Sequence, residues 1–188
     1  MAPPQVPFRF ENERMLWWVD DVYTSSECAR FIELIEASEP ELATNNPLYR
    51  DQDRVIRDDP RIAQELFGRI RPHLPPRMGE LVLRGLNDRL RMYRYKPGQQ
   101  FAPHMDHWYR PSDSEITLHT VLAYFNDDFT GGETRFLEQF EATVVPRRGR
   151  VVIFQHKLRH EGCQVATGTK YAMRSDVIYA QARTEAGG

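Results

Sequence analysis

The sequence predicts a mainly β domain with flanking helices, a double-sheet jelly roll (double-stranded β-helix) of eight core strands, from three observations. Short β-type runs crowd the chain from residue 90 onward, turn signals separate them at regular intervals, and helical periodicity is confined to the part before them. Such spacing favours a sandwich or barrel over a parallel sheet, and the eight-strand jelly roll is the natural member of that class. At 188 residues, 40% apolar and 28% charged, the chain fits one domain closing its own core. That domain is expected to span residues 1–188, with helical support over about 1–88 and the jelly-roll core over about 89–181.

The helices come first. Thr24-Ser25-Ser26-Glu27 has the Thr-x-x-Glu pattern of a capping box, and Cys28, Phe31, Ile32 and Ile35 follow at helical spacing, which predicts a helix over 25–38. Asp59-Pro60 reads as an N-cap with Pro at the first helical position, before the apolar stripe Ile62, Leu66, Phe67 and Ile70. Pro72 and Pro75-Pro76 stop that helix. The polar, Arg- and Asp-rich stretch 43–58 between them is expected to be a surface loop. The eight strands are expected at 90–96, 104–109, 116–125, 133–137, 142–145, 150–155, 160–165 and 170–180, divided by Pro97-Gly98, Asn126-Asp127-Asp128, Gly131-Gly132, Pro146, Arg148-Gly149 and Gly168.

Charge and composition exclude some functions. A formal net charge of -2 with a pI near 6.3 argues against a surface built for nucleic acid or anionic membrane. No apolar run approaches the roughly 20 residues of a spanning helix, and the Pro-rich start lacks the apolar core of a secretory signal. Cys28 and Cys163 lie far apart without metal-ligand spacing, so both are read as reduced packing residues of a cytoplasmic protein.

His104-Met105-Asp106 is the first chemical signal. On a strand, residues two apart share a face, so an imidazole and a carboxylate would project side by side. A second histidine from another strand would complete a 2-His-1-carboxylate facial triad with open metal positions. His73 sits at a helix end, His107 on the opposite strand face, and His119 within a long strand, which leaves His156 and His160. Lys170 and Arg174, four apart on the terminal strand, face one side together with Ala172. Two inward cations are costly unless an anion meets them.

These pieces resemble the prolyl 4-hydroxylase family of Fe(II)/2-oxoglutarate-dependent oxygenases. The likeness runs through 95–99 with Phe101 and 103–106, then Leu122-Ala123-Tyr124-Phe125-Asn126 and 131–136, and on through 149–154. It continues in the run from His160 through Gly162, Cys163, Val165 and Gly168 to Lys170, and extends back to the helix entry at 21–28. The resemblance implies His104, Asp106 and His160 as iron ligands, selecting His160 over His156 by the spacing that follows it. It implies Lys170 as partner of the far 2-oxoglutarate carboxylate, with Tyr95 and Tyr124 lining the cosubstrate pocket. Arg174 is expected either to share that carboxylate or to contact the prime substrate.

The implied activity is hydroxylation of an unactivated C–H with Fe(II), 2-oxoglutarate and O2, ascorbate acting as a stimulant. The expected substrate is a peptidyl proline or another protein side chain. Gln164 stands where a proline is common in the family, and 170–176 lacks the tryptophans of collagen-type enzymes, so a small molecule such as an amino acid is the alternative. A metal- and 2-oxoglutarate-binding sensor module is a third reading; no nucleic-acid or membrane partner is expected. Trp108, Tyr109 and Arg110 after the metal motif, the polar stretch 111–115 as a lid, and Arg54 with Arg50 and Arg57 are the candidate substrate contacts.

Overall fold

The computed structural model describes residues 15–43, 46, 49–138 and 141–182. Strand β1 (Leu16–Val19) leads to helix α1 (Ser25–Ala37), the short β2 (Glu41–Leu42) and β3 (Asp53–Asp58). Helix α2 (Pro60–Ile70) and a 3-10 turn precede β4 (Arg77–Met78) and β5 (Leu81–Leu86). Then come β6 (Arg89–Tyr95), β7 (Phe101–His104), β8 (Glu115–Tyr124), β9 (Thr130–Gly131), β10 (Thr134–Phe136) and β11 (Ala142–Val144). The last are β12 (Val151–Gln155), β13 (His160–Gly162), β14 (Val165–Thr167) and β15 (Lys170–Gln181).

Two sheets face each other. The larger runs β1-β12-β8-β15-β6-β3-β2, with β5 added to β15 and β4 to β5; the smaller runs β11-β10-β13-β7. Every pairing is antiparallel. β8 and β12 are almost wholly buried because both faces of the large sheet are covered. Alternation then divides their side chains between two cores. Val121, Ala123, Val151, Ile153, Met92 and Met173 meet Cys28 and Ile35 of α1 and Leu66 and Ile70 of α2 on the outer side. Tyr93, Tyr95, Tyr124, Val152, Phe154 and Ala172 meet Phe101, Phe136 and Val144 of the small sheet on the inner side. Each such Leu, Ile, Val or Phe contributes roughly 1.5–3 kcal/mol of burial, which seats the helices on the sheet.

Helix α1 begins as its sequence predicts: the Thr24 hydroxyl accepts from the Glu27 amide while the Thr24 amide donates to the Glu27 carboxylate at 2.7 Å. The Asp59 side chain accepts from the Arg61 and Ile62 amides to cap α2, with Pro60 at its first position.

Three expectations need correction. Residues 53–58 are not loop but β3, a strand of the large sheet paired in register with β6. Its polar sequence reflects charge pairing across that register, Asp53 with Arg94 and Asp58 with Arg89, rather than lack of structure. The strand expected over 104–109 instead ends at His104, and the chain leaves the sheet there. The run expected over 160–165 divides into β13 and β14, because the chain passes from the small sheet to a separate pairing with β9.

Candidate metal centre

β7 and β13 pair so that His104 and His160 lie directly opposite each other, with ring centroids 4.3 Å apart. The Nδ1 of His104 sits 2.8 Å from the Ala102 carbonyl, and that of His160 2.9 Å from the Leu158 carbonyl. A carbonyl only accepts, so each Nδ1 carries the proton and each Nε2 presents a lone pair. Asp106 completes the group: its carboxylate oxygens lie 3.8 Å from His104 Nε2 and 3.8 Å from His160 Nε2. The three ligand atoms all fall within 4.8 Å of one another. Burial, reinforced by the neighbouring His160, pushes the His104 pKa down to about 4; burial likewise lowers that of His160. Both imidazoles are therefore neutral and ready to ligate at physiological pH.

Asp106 reaches this position by tertiary contacts, since the strand has already ended. Its amide donates to the His156 carbonyl at 3.0 Å, and Thr120 of β8 donates to Oδ2. Arg174 Nη1 lies 3.0 Å from Oδ1, and its Nη2 donates to Asp176 at 2.8 Å. Burial alone would raise the Asp106 carboxyl, but Arg174 and the surrounding histidines hold it well below the usual carboxylate range. Asp176, nearly inaccessible, also meets Arg91 at 3.2 Å and His156 at 3.4 Å. Thus Arg174 is engaged by two carboxylates.

Lys170 has a different setting. It is 3% exposed, donates to the Gly132 carbonyl at 2.6 Å, and lies 5.0 Å and 5.3 Å from the ring centroids of Tyr95 and Tyr124. No carboxylate pairs with it among the described residues, and burial lowers its pKa to about 8. Gly131 and Gly132, both at positive φ, bring this carbonyl close: a Cβ on Gly131 would strike the Gln164 carbonyl and one on Gly132 would crowd Lys170 and Val165. Tyr124 shares a 2.6 Å hydrogen bond with Thr134, which fixes its hydroxyl.

His104, Asp106, His160, Lys170, Tyr95 and Arg174 line one cleft of about 450 Å³, counting its open mouth. Its walls also include Tyr93, Phe101, Thr120, Leu122, Phe154 and Ala172, and Tyr124 packs behind Lys170. A donor set of two imidazoles and a carboxylate, all with free lone pairs, fits Fe(II) and leaves positions open on the metal. A buried ammonium with no counter-charge fits the far carboxylate of 2-oxoglutarate.

Other expected contacts fall outside the cleft walls. Trp108 is 45% exposed with Lys157 over its ring, Tyr109 is 56% exposed, and neither they nor Arg110 line the cleft. The reason is the early end of β7, which removes the shared strand face that placed Trp108 beside His104. The stretch 111–115 forms an exposed turn in which Ser112 donates to Glu115. Arg54 lies on β3 opposite Tyr93, and Arg57 pairs with Asp59. Thr120, Asp176 and Tyr93 were not singled out by the sequence. Their signal was parity: Thr120 with Leu122 and Tyr124, Asp176 with Arg174, Tyr93 with Tyr95.

The profile of the 2OG-Fe(II) oxygenase superfamily matches residues 90–175. The chain is 32% identical over 96 residues to prolyl 4-hydroxylase subunit alpha-2 of Gallus gallus, a match covering 44% of this chain but 18% of that relative's length. Among solved structures it is similar to the viral collagen prolyl hydroxylase of Paramecium Bursaria Chlorella virus-1 in its 2-oxoglutarate complex. That likeness has a TM-score of 0.67 at 18% identity and covers 89% of this chain and 96% of the other. It is also similar to a prolyl hydroxylase from Trichoplax adhaerens bound to a hypoxia inducible factor peptide fragment. There the TM-score is 0.66 at 17% identity, covering 90% and 85% of the two chains.

Proposed function

We propose that this chain, a prolyl 4-hydroxylase-like 2OG-Fe(II) oxygenase, hydroxylates an unactivated C–H of a protein side chain, peptidyl proline being the leading substrate. The observation that carries the reading is the gathering of two imidazoles and the Asp106 carboxylate in one cleft with a buried Lys170 that no carboxylate of the described residues meets. Iron, 2-oxoglutarate and O2 supply the chemistry when bound: one oxygen atom enters the C–H bond as 2-oxoglutarate becomes succinate and CO2.

The protein's own residues do the rest. His104, Asp106 and His160 hold the metal from one side. Arg174 and Thr120 occupy the Asp106 oxygens from behind and fix the carboxylate's orientation. Lys170 receives the far carboxylate of 2-oxoglutarate, and its pKa near 8 rises toward the ordinary value when that anion arrives. Phe101, which stacks on His104 at 3.6 Å, excludes water together with Leu122 and Phe154. A polypeptide is favoured over a metabolite by exposed apolar side chains beside the candidate ligands: Tyr49, whose ring lies 6.3 Å from that of His104, and Met105, between His104 and Asp106 in the chain.

The test is succinate formation from 2-oxoglutarate with Fe(II), ascorbate and oxygen, first alone and then with proline-containing peptides or a metabolite pool. His104→Ala and Asp106→Ala are each expected to lower turnover at least about a hundredfold and to abolish Mn(II) binding in calorimetry. Unchanged turnover in either variant would refute the triad. Stimulation by metabolites and not by peptides would assign the small-molecule reading, and 2-oxoglutarate binding without turnover would assign a sensor.

A further inference from the structure

Of the arginines on and around β3 and β6, most have an acid beside them. Arg57 meets Asp59 at 2.9 Å, Arg89 meets Asp58 at 3.2 Å, Arg91 meets Asp176 at 3.2 Å and Arg94 meets Asp53 at 2.7 Å. Arg50 and Arg54 differ: among the described residues neither has a carboxylate within ion-pair distance. Both stand beside the cleft. Arg50 bridges to Phe101 and lies 4.0 Å over its ring, and Phe101 is itself stacked on the candidate ligand His104. Arg54 is opposite Tyr93 across the β3–β6 register, so it extends the same sheet face one strand beyond the cleft wall.

The two guanidinium groups are held in place without being neutralised. Arg54 Nη2 donates to the Ala43 carbonyl at 3.1 Å, and Arg50 Nε is shielded from solvent with no hydrogen-bond partner. The adjacent acid, Asp51, is turned away to accept from the Gln100 amide at 2.6 Å. Burial lowers the Arg54 pKa, and Arg50, Arg91 and Arg89 lower it further while Tyr93 acts in the opposite sense. Partly buried cations of one sign repel each other, so this arrangement costs stability until an anion arrives.

We propose that Arg50 and Arg54 form a carboxylate-binding subsite at the mouth of the cleft, and that the prime substrate is an acidic polypeptide segment with Asp or Glu near the oxidised residue. A guanidinium fork matches a carboxylate in two parallel hydrogen bonds, and a pair of them recognises a short acidic run better than one isolated charge. The exposed Ile56, two residues beyond Arg54 on the same strand face, and Tyr49 beside Arg50 supply apolar contacts for the intervening side chains. This inference rests on the peptide reading above and adds its charge.

The experiment measures succinate formation with proline-centred peptides flanked by glutamates, by alanines or by lysines, in the full chain with Fe(II), ascorbate and 2-oxoglutarate. The glutamate peptide should have a KM about fivefold to tenfold below that of the alanine peptide, and the lysine peptide should be poorest. The advantage should shrink as salt is raised, because partly exposed charges are screened. In the double variant Arg50→Gln/Arg54→Gln the glutamate-to-alanine ratio should fall toward one, whereas Arg50→Lys/Arg54→Lys, which keeps the charge and loses the fork, should retain only part of it; thermal melts establish that both variants fold. Equal KM values for all three peptides, or a preference for lysine, overturn the subsite and leave the peptide reading standing. Succinate formation that no peptide stimulates overturns the peptide reading and the subsite with it.

Discussion

At one end of the cleft Lys170 buries an ammonium group against a carbonyl and two aromatic rings, with no carboxylate beside it. At the other end Arg174, four residues further along the same strand face, is pinned between Asp106 and Asp176. The two cations share a strand and a cavity, and they differ in whether the protein supplies the counter-charge. Where the protein supplies it, the cation belongs to the scaffold and positions a ligand. Where it does not, the fold holds, at a cost in stability, a buried charge that the proposed function assigns to an anion from outside.

The sharpest way to break this contrast is to remove each charge in turn. Arg174→Met should destabilise the metal-free protein by about 3–5 kcal/mol, because Asp106 and Asp176 are left buried with too little positive charge around them. Urea denaturation measures it, and a loss below 1 kcal/mol would mean that the carboxylates relax independently of Arg174. Lys170→Met should act in the opposite direction, stabilising the metal-free protein by about 1–3 kcal/mol at neutral pH while 2-oxoglutarate binding disappears from calorimetry. Destabilisation by Lys170→Met would show that its bond to Gly132 matters more than its unpaired charge.

The pH dependence sharpens the same point. Lys170 has a folded pKa of about 8, below its ordinary 10.5, so between those values the unfolded chain holds more protons than the folded one. Stability then rises with pH across that window, and the cost of the buried charge is fully present below it. Melts of the wild-type protein should show this rise and those of Lys170→Met should lack it. Near pH 8, 2-oxoglutarate binding should also take up a proton, visible as a dependence of the calorimetric heat on the buffer's ionisation enthalpy. The smallest effect belongs to the far side of the sheet: Thr24→Ala removes one half of the α1 capping box and should cost about 1 kcal/mol with 2-oxoglutarate affinity unchanged.

The same distinction explains what could be read from the sequence. Periodicity marks α1, α2, β6, β8, β12 and β15 because each buries an apolar face, and period is a local property. It misses β3, whose polar residues are satisfied by partners on β6 that lie more than thirty positions away in the chain. It extends β7 too far, because His-x-Asp-x-Trp alternates like a strand although the chain has left the sheet to reach the His156 carbonyl. His104, Asp106, His160 and Lys170 stand in a legible order. Thr120 and Asp176, which meet Asp106 and Arg174, carry only the parity of their strands as a local mark, and their roles arise only when β8 and β15 lie side by side.

The position of β15 has a consequence for how this protein is made. It is the last strand of the described chain and it lies inside the large sheet, bordered by β8 on one side and by β6 and then β5 on the other. Before residues 170–181 are made, the large sheet exists only as β1-β12-β8, β6-β3-β2 and β4-β5, and β15 joins them by pairing with β8, β6 and β5. Lys170 and Arg174 arrive in that final insertion, ten residues or more after His160. A chain without β15 thus lacks the middle of its large sheet together with Lys170 and with Arg174, the partner of Asp106.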